Sequence, residues 1–282
     1  MAQPRIPCTD RTSLVIRRVA AFAAVLLAAP AALALEEVPF ITTPDNVTVA
    51  MLELAKVGPR DFVIDLGSGD GRIVITAARR FGARGLGFEI VPELVERSRA
   101  AAQRAGVADR AHFRELDLFK ADLAPASVIT MYLLPDVNLQ LRPKLLRLRP
   151  GTRVVSHDWD MGEWTPDRTV TLDVPDKAVG REKLSRVHLW IVPARIEGAW
   201  CGTGKARGTR IDITQSFQKF SAQLPGPEPR TLQGTIEGAI LRATNGVRFA
   251  YESDQLKNTH ASGKFAAIHG ALFRRARGAT CR

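Results

Sequence analysis

The stretch DLGSGDGR, residues 65–72, decides the fold of this chain. It ends the apolar run DFVID (61–65) and precedes a segment with helical spacing that stops at Gly82. A buried strand, a glycine-rich turn and a helix form the first unit of an α/β sheet and place a ligand at the carboxyl end of the strand. This unit does not by itself say which ligand is bound, so the ligand has to be inferred from the side chains of the turn and of the neighbouring strand ends.

Further strands and helices follow this unit in alternation. Strand-like runs recur as RGLGFEI (84–90), AHFREL (111–116), SVITMYLL (127–134) and TRVVSH (152–157), and a helix is predicted over 135–148. This alternation predicts a mostly parallel sheet with right-handed crossovers. The runs RTVTLDV (168–174) and RVHLWIVPA (186–194) leave no room for another crossover helix, so we expect an antiparallel pair at the sheet edge.

The last third of the chain has a different character. Short runs of period two, separated by turns such as PGPEP (225–229) and TNG (244–246), predict a small antiparallel barrel or sandwich. We therefore divide the chain into residues 1–34, an α/β domain over 35–195 and an all-β module over 196–282. Of the net charge of +11, the all-β module carries +7. Such a module can meet an anionic surface such as membrane lipid headgroups, a cell-envelope polymer or nucleic acid, but a solvated basic surface is the favoured interpretation.

Residues 1–34 are predicted to be a leader rather than part of the fold. Four arginines precede the apolar run Val19 to Leu35, and Ala32-Leu33-Ala34 has the small-x-small pattern of a cleavage site. A signal peptide for export to the periplasm or cell envelope is the first interpretation. An N-terminal membrane anchor is the second, with a cytoplasmic-side anchor left open, and an organelle import sequence is the third.

The cysteines fit an exported chain. Cys8 would leave with the leader, so that Cys201 and Cys281 remain at the two ends of the all-β module. A disulfide between them and two unpaired thiols are both open on this reasoning. The cysteines and histidines do not have the spacing of a metal site, so no metal is expected.

Phosphate is the wrong ligand for the glycine turn. The turn has Gly67, Gly69 and Gly71, but Arg72 occupies the third glycine position of the dinucleotide fingerprint. Asp70 at the start of the helix would repel a pyrophosphate, and the Gly-Lys-Ser/Thr of a nucleotide phosphate loop is absent.

Acidic residues at three successive strand ends favour a cationic nucleoside instead. Asp65 can receive an ammonium or sulfonium group, and Glu89 at the next strand end can take both hydroxyls of a ribose. Asp117 follows the third strand and can accept from an adenine amino group. An amino-acid end, a ribose and an adenine, met in this order, describe S-adenosylmethionine.

A family resemblance agrees with this ligand. The segment from Val63 to Ile90 is similar to motif I and the acidic second-strand end of class I methyltransferases. GDGRIVI, GFEIVPELVERSR and the run through YLLP resemble the lysine methyltransferases that act on the adenine nucleotide translocase and the ATP synthase c subunit, over residues 39–200. The resemblance implies a Rossmann-like seven-stranded sheet, S-adenosyl-L-methionine as methyl donor and a protein lysine as acceptor. It implies a donor site built from Asp65, Gly67, Ser68, Gly69, Gly71, Glu89, Asp117 and Leu118.

The acceptor site is expected at the next two strand ends. The resemblance places Tyr132 to Pro135 along the methyl-transfer site, and SHDWDMGEW (156–164) follows the fifth strand. A lysine must lose its proton before it attacks a methyl group, so His157 or Asp158 can serve as base or orient the amine. The predicted catalytic residues are Tyr132, Pro135, His157 and Asp158; the alternative is a loop anchored by two buried tryptophans.

The sequence thus predicts a methyltransferase that N-methylates a protein lysine. Its expected partner is a protein substrate, with no specific nucleic acid, and the chain is expected to be a monomer. A methyltransferase for a small molecule and a non-catalytic envelope scaffold on the same fold are the alternatives.

Overall fold

The computed structural model describes residues 41–178, 182–224, 229–278 and 280–281. The first part of the chain alternates strands and helices before ending in two strands. Its elements are α1 (Asp45–Leu54), β1 (Phe62–Leu66), α2 (Arg72–Phe81), β2 (Arg84–Glu89), α3 (Pro92–Arg104), β3 (Ala111–Glu115), β4 (Val128–Met131), α4 (Pro135–Leu145), β5 (Arg153–His157), β6 (Arg168–Asp173) and β7 (Leu184–Ile191).

These strands form one sheet in the order β3-β2-β1-β4-β5-β7-β6. Strands β1 to β5 run parallel, whereas β7 is antiparallel to β5 and to β6. The predictions of a seven-stranded, mostly parallel sheet and of an antiparallel edge pair are confirmed. Because β1 lies between β2 and β4, the chain reverses direction across the sheet at β1, and the crevice at this point is where ligands bind in such folds.

Helix α4 is shorter than predicted. It ends at Leu145 rather than at 148. The amides of Arg147 and Leu148 donate to carbonyls three residues earlier, at 3.2 and 3.0 Å, so the last turn tightens before Pro150. The element retains its predicted start at Pro135, at the carboxyl end of β4.

The rest of the chain forms a closed antiparallel barrel of eight strands. The prediction left a barrel and a sandwich open, and the structure has the barrel. Its strands are β8 (Gly198–Gly202), β9 (Arg210–Ser216), β10 (Lys219–Leu224), β11 (Arg230–Glu237), β12 (Ile240–Ala243), β13 (Arg248–Glu252), β14 (Gln255–His260) and β15 (Leu272–Arg275). Trp200 and Phe273 are fully buried inside it, because alternate residues of each strand point inward.

The barrel packs against the sheet through the turn between β9 and β10. Phe217 in this turn stacks on Trp164, with ring centroids 6.4 Å apart, and lies 5.5 Å from the guanidinium of Arg142 on α4. The neighbouring Gln218 donates to the carbonyl of Thr165 at 2.6 Å. The barrel therefore supports the loop that follows β5.

The predicted leader, residues 1–34, lies outside the described residues. Within those that are described, no helix is long and apolar enough to span a membrane.

A disulfide links the first strand of the barrel to the segment after its last strand. It joins Cys201 of β8 to Cys281 across 80 residues of chain. Its Cα atoms are 5.2 Å apart, which is within the usual range. Of the two alternatives left open by the sequence, the structure has the paired cysteines.

We expect replacement of both cysteines by serine to lower the free energy of unfolding by about 4 kcal/mol, because the cross-link restricts a long loop of the unfolded chain. Urea unfolding without reductant measures the loss. A reductant should lower the stability of the native chain to that of the double variant and leave the variant unchanged. Equal stability of native chain and variant would contradict this expectation.

Candidate active site

The glycine turn at the end of β1 is fixed to the neighbouring strand. Gly67, Gly69 and Gly71 have φ values of 71°, 53° and 80°, a region that favours glycine. The amides of Gly67 and Ser68 both donate to the carbonyl of Phe88 at 2.9 Å. A Cβ added to Gly71 would lie 2.6 Å from the ring of Phe113 on β3. These contacts explain why glycines occupy the turn.

A Gly71→Ala variant should therefore lose both stability and affinity for the ligand of the turn. The positive φ alone costs about 1–2 kcal/mol, and the contact with Phe113 forces a further shift. Gly106→Ala is the matched control, because Gly106 has φ 67° but an added Cβ would meet no atom within 4 Å. Thermal unfolding should show a larger loss for Gly71→Ala, and equal losses would count against a role for the close packing.

Glu89 holds the turn from the end of β2. Its Oε2 accepts from the amide of Gly69 at 2.9 Å, and its Oε1 accepts from the amides of Ile90 and Val91 at 2.8 and 3.1 Å. A carboxylate has about four lone-pair positions, so these three bonds leave about one for a ligand. Glu89 is 8% exposed and borders the turn.

Asp65 is a buried carboxyl group with no cation beside it. Its side chain is 2% exposed and accepts from the hydroxyl of Thr130 at 2.7 Å. Burial raises the pKa of Asp65 to about 8, and the negative charges of Glu89 and Asp70 add to the rise. None of the ion pairs found among the described residues includes Asp65. A cationic ligand would supply the positive charge that is missing beside the Asp65 carboxyl group.

A second buried group is also free to bind a ligand. The hydroxyl of Ser68, in the middle of the turn, is buried and has no hydrogen-bond partner. Together with Asp65, this hydroxyl makes the turn suited to a ligand with a positive end and hydrogen-bonding groups. The residues present therefore fit S-adenosylmethionine.

The structure corrects one reason given against a phosphate ligand. Asp70 is not a free negative charge at the start of α2, because Arg72 folds back on it and its Nη2 lies 2.7 Å from Oδ2. Although burial acts to raise it, the pKa of Asp70 is held below its usual value by hydrogen bonds and charge from Arg72. What excludes phosphate is then the glycine spacing together with the buried carboxyl group of Asp65, which has no cation beside it.

Asp117 and Leu118 lie just beyond β3, at the same sheet edge, and both are half-buried. The Oδ1 of Asp117 accepts from the amide of Phe119 at 2.9 Å. Two apolar side chains that the sequence did not single out are exposed. These are Ile90, 61% exposed, and Phe119, 36% exposed. In the chain, Ile90 follows Glu89 and Phe119 follows Leu118, both predicted site residues. Their places next to predicted site residues could have drawn attention to them in the sequence.

The predicted acceptor residues come together around Tyr132. The ring of Tyr132 lies 3.9 Å from that of His157, centroid to centroid. Burial raises the pKa of the Tyr132 phenol to about 12, and the charge of Asp158 and a hydrogen bond to it add to the rise. Tyr132 is therefore neutral at physiological pH and donates to Asp158.

The structure places His157 behind Tyr132 rather than at an open surface. His157 is 1% exposed, its Nε2 lies 2.9 Å from the hydroxyl of Ser185, and its Nδ1 lies 3.4 Å from that of Thr43. Burial lowers the pKa of His157 to about 4, although the charge of Asp158 opposes this. Both ring nitrogens are engaged with hydroxyl groups inside the protein, so the structure does not place His157 as a base open to the acceptor.

Asp158 is held in an uncommon backbone conformation, with φ 63°. Its amide donates to the carbonyl of Arg186 at 2.6 Å, and its Oδ1 accepts from the amide of Arg186 at 2.9 Å. Its Oδ2 lies 2.7 Å from the Nζ of Lys177, a residue that sequence patterns did not point to. Asp158 thus already binds a lysine ammonium group beside Tyr132.

The remaining acceptor predictions divide between surface and core. Pro135 is exposed at the first turn of α4. Of the two loop tryptophans, Trp164 is fully buried whereas Trp159 is 43% exposed. The alternative of a loop anchored by two buried tryptophans therefore holds for Trp164 alone.

Comparison with known proteins agrees with this site. Residues 65–168 match the family described as the ANTKMT methyltransferase domain. A protein-lysine N-methyltransferase of Saccharolobus islandicus is 44% identical over 48% of this chain and 86% of its own length. The lysine N-methyltransferase of the mouse ATP synthase c subunit is also 44% identical, over 38% of this chain and 43% of its own length.

A solved structure is also similar to this chain. It is an RNA methyltransferase from Salinibacter ruber in complex with S-adenosyl-L-homocysteine, 54% identical, with a TM-score of 0.51. The similarity covers 55% of this chain and 96% of that one. The predicted resemblance, enzyme class and methyl donor are confirmed, and this chain belongs to the S-adenosylmethionine-dependent methyltransferases of the ANTKMT family.

Proposed function

We propose that this chain transfers a methyl group from S-adenosylmethionine to the ε-amine of a lysine in another protein. The observation that carries the proposal is the contact of Asp158 with Lys177, because it supplies a carboxylate able to bind a lysine ammonium next to Tyr132. The archaeal and mouse relatives are both lysine N-methyltransferases, and this supports the same acceptor.

The residues of the glycine turn would bind the methyl donor. Asp65 would receive its ammonium group, Glu89 would accept from a ribose hydroxyl with its remaining lone pair, and Asp117 would accept from the adenine amino group. The bound donor supplies a methyl group on a sulfonium, which is a good leaving group. Catalysis by the chain would then depend mainly on bringing the amine into line.

Tyr132 and Asp158 would prepare the acceptor amine. Because the phenol of Tyr132 donates to Asp158, its oxygen keeps lone pairs that can accept from an amine N–H. The carboxylate of Asp158 would attract the incoming ammonium and hold it beside Tyr132, and the ammonium would release its proton to water before attack. Burial keeps the His157 ring neutral, and its contact with Tyr132 would orient the phenol. The exposed ring of Trp159 offers a surface for the methylene chain of the acceptor.

RNA is a second candidate for the acceptor. The supporting observation is the similarity to the Salinibacter ruber RNA methyltransferase, which is 54% identical over 55% of this chain. Both acceptors would use the same donor residues, so donor binding does not distinguish them.

Transfer of labelled methyl groups to a protein extract tests the proposal. One sample is untreated, and in the matched control the lysine amines are first blocked by chemical acetylation. We expect labelling of the untreated extract and its loss in the blocked one. Equal labelling of both extracts would contradict a lysine acceptor, and donor binding without transfer to protein or RNA would favour a non-catalytic scaffold.

A further inference from the structure

The barrel carries a row of basic side chains that becomes visible only in the strand register. Lys219 on β10 is paired with Thr235, Thr235 with Arg242, Arg242 with Arg248, and Arg248 with His260 on β14. All five side chains are exposed. We call these five residues, four of them basic and the fifth Thr235, the basic row. The row crosses five successive strands, and its members are far apart in sequence.

The basic row is unfavourable for the isolated barrel. Like charges directly opposite each other on antiparallel strands destabilise a sheet, and Arg242 faces Arg248 in this way. Glu237 reaches Arg242, with 3.8 Å between Oε2 and Nη2. Within the described residues, none of the ion pairs found includes Lys219 or Arg248. A ligand with negative charges would relieve this repulsion.

One end of the basic row borders a shallow depression of about 530 Å³ on the outside of β9 to β12. Its lining includes hydroxyl and amide side chains besides Lys219. These are Thr214, Ser216, Ser221, Gln233, Thr235 and Thr244. Such groups can hydrogen-bond to neutral hydroxyls of a ligand whose charges contact the basic row.

The shape of the row excludes a flat partner. Strands lie about 4.8 Å apart, so the row extends for about 19 Å, around half of an eight-stranded barrel. A flat bilayer would contact only part of such a curved row, whereas a flexible chain can follow it. In the described barrel no Phe, Tyr or Trp is exposed, and the stacking platforms used for single-stranded nucleic acid are therefore missing there.

We propose that the basic row binds a linear acidic polysaccharide, with carboxylate or sulfate groups on the cations and sugar hydroxyls on the hydroxyl and amide side chains of the depression. This site lies on the barrel and does not depend on the identity of the methyl acceptor. It would hold the enzyme on an anionic polymer while the sheet carries out methyl transfer.

Binding of the full chain to sodium alginate tests the proposal, with uncharged dextran, poly(U) and phosphatidylglycerol vesicles as the other arms. We expect alginate to bind at about 50 mM salt and to dissociate as salt rises, because counterions are released on binding. An Arg242→Ala, Arg248→Ala variant should bind about tenfold more weakly. Lys205→Ala, Arg207→Ala is the matched control, since it removes two exposed cations outside the row.

If the control variant still binds alginate and the Arg242→Ala, Arg248→Ala variant binds it more weakly, the result would support the basic row as the binding site. Unchanged donor binding by calorimetry checks that this variant is folded. Four results would overturn the proposal: no binding of alginate, equal weakening in both variants, tighter binding of poly(U) than of alginate, or binding of vesicles without alginate.

Discussion

Replacing Asp65 with asparagine is expected to abolish donor binding and, at the same time, to stabilise the ligand-free chain at pH 8. Without the carboxylate, the donor ammonium loses its buried partner, which should weaken affinity by about 10²-fold or more. Calorimetric titration with S-adenosylmethionine measures this loss. A buried carboxyl group with no cation beside it is costly when ionised, and Asp65 is such a group.

The stability gain follows from the sign of the pKa shift. The folded pKa of Asp65 is about 8, well above its ordinary value of 3.8. The contribution of Asp65 to the stability of the native chain is thus fully present below pH 3.8 and is lost progressively as pH rises toward 8. Asparagine does not titrate, so the melting temperature of Asp65→Asn should exceed that of the native chain at pH 8, with a much smaller difference at pH 5.

Asp61→Asn is the matched control, because Asp61 precedes the same strand at its opposite end. Despite burial, hydrogen bonds from Ser127 and Arg153 lower the pKa of Asp61. Asp61 therefore contributes stability above pH 3.8, and its loss should lower the melting temperature at pH 8 without affecting donor binding. Destabilisation by Asp65→Asn at pH 8, or donor binding as tight as in the native chain, would contradict the role of Asp65.

Tyr132→Phe is expected to lower kcat by about 10²-fold while leaving the donor dissociation constant unchanged. The variant keeps the ring against His157 but removes the oxygen that would accept from the amine. Steady-state methyl transfer measures kcat, and calorimetry measures donor binding. A rise in KM without a change in kcat would assign Tyr132 to substrate binding alone.

Tyr251→Phe provides the control, since the chain has two tyrosines. Tyr251 is on β13, and its hydroxyl donates to Asp254 at 3.3 Å, away from the sheet edge. Its variant should keep the native kcat. A Tyr132→Phe variant as active as Tyr251→Phe would remove the phenol from the mechanism.

Much of the donor site was predictable because its signals are local. Asp65, Gly67, Gly69 and Gly71 lie within seven residues, and the backbone conformations of the turn require glycine at those positions. Glu89 was predictable because it ends the next strand, and parallel strands bring their carboxyl ends to one edge. These residues needed only secondary structure and chain order.

The acceptor site depends on contacts between distant segments, and there the sequence was less informative. His157 is neutral because Ser185 and Thr43, 28 and 114 residues away, enclose its ring. Lys177 reaches Asp158 from the connection between β6 and β7, which has no recognisable motif. Burial and pairing of this kind follow from packing and not from spacing along the chain.

The barrel shows the same limit. Period-two runs predicted an antiparallel β module, but two of its strands, β8 and β14, lie outside those runs. Closure depends on the pairing of β15 with β8, which pairs Phe273 with Gly202 and Arg275 with Trp200. The basic row likewise needs the register of five strands, including a shift between Arg248 and Phe249. A one-residue difference in register would turn these side chains to the other face.

The most direct test of the central claim is the chemical identity of the methylated product. The full chain is incubated with methyl-labelled S-adenosylmethionine, total protein and total RNA in one reaction, and each polymer is then hydrolysed to its monomers. The proposed function predicts that the label is recovered as Nε-methylated lysine, and that Asp65→Asn abolishes it. Recovery of the label in nucleosides, with none in lysine, would contradict it.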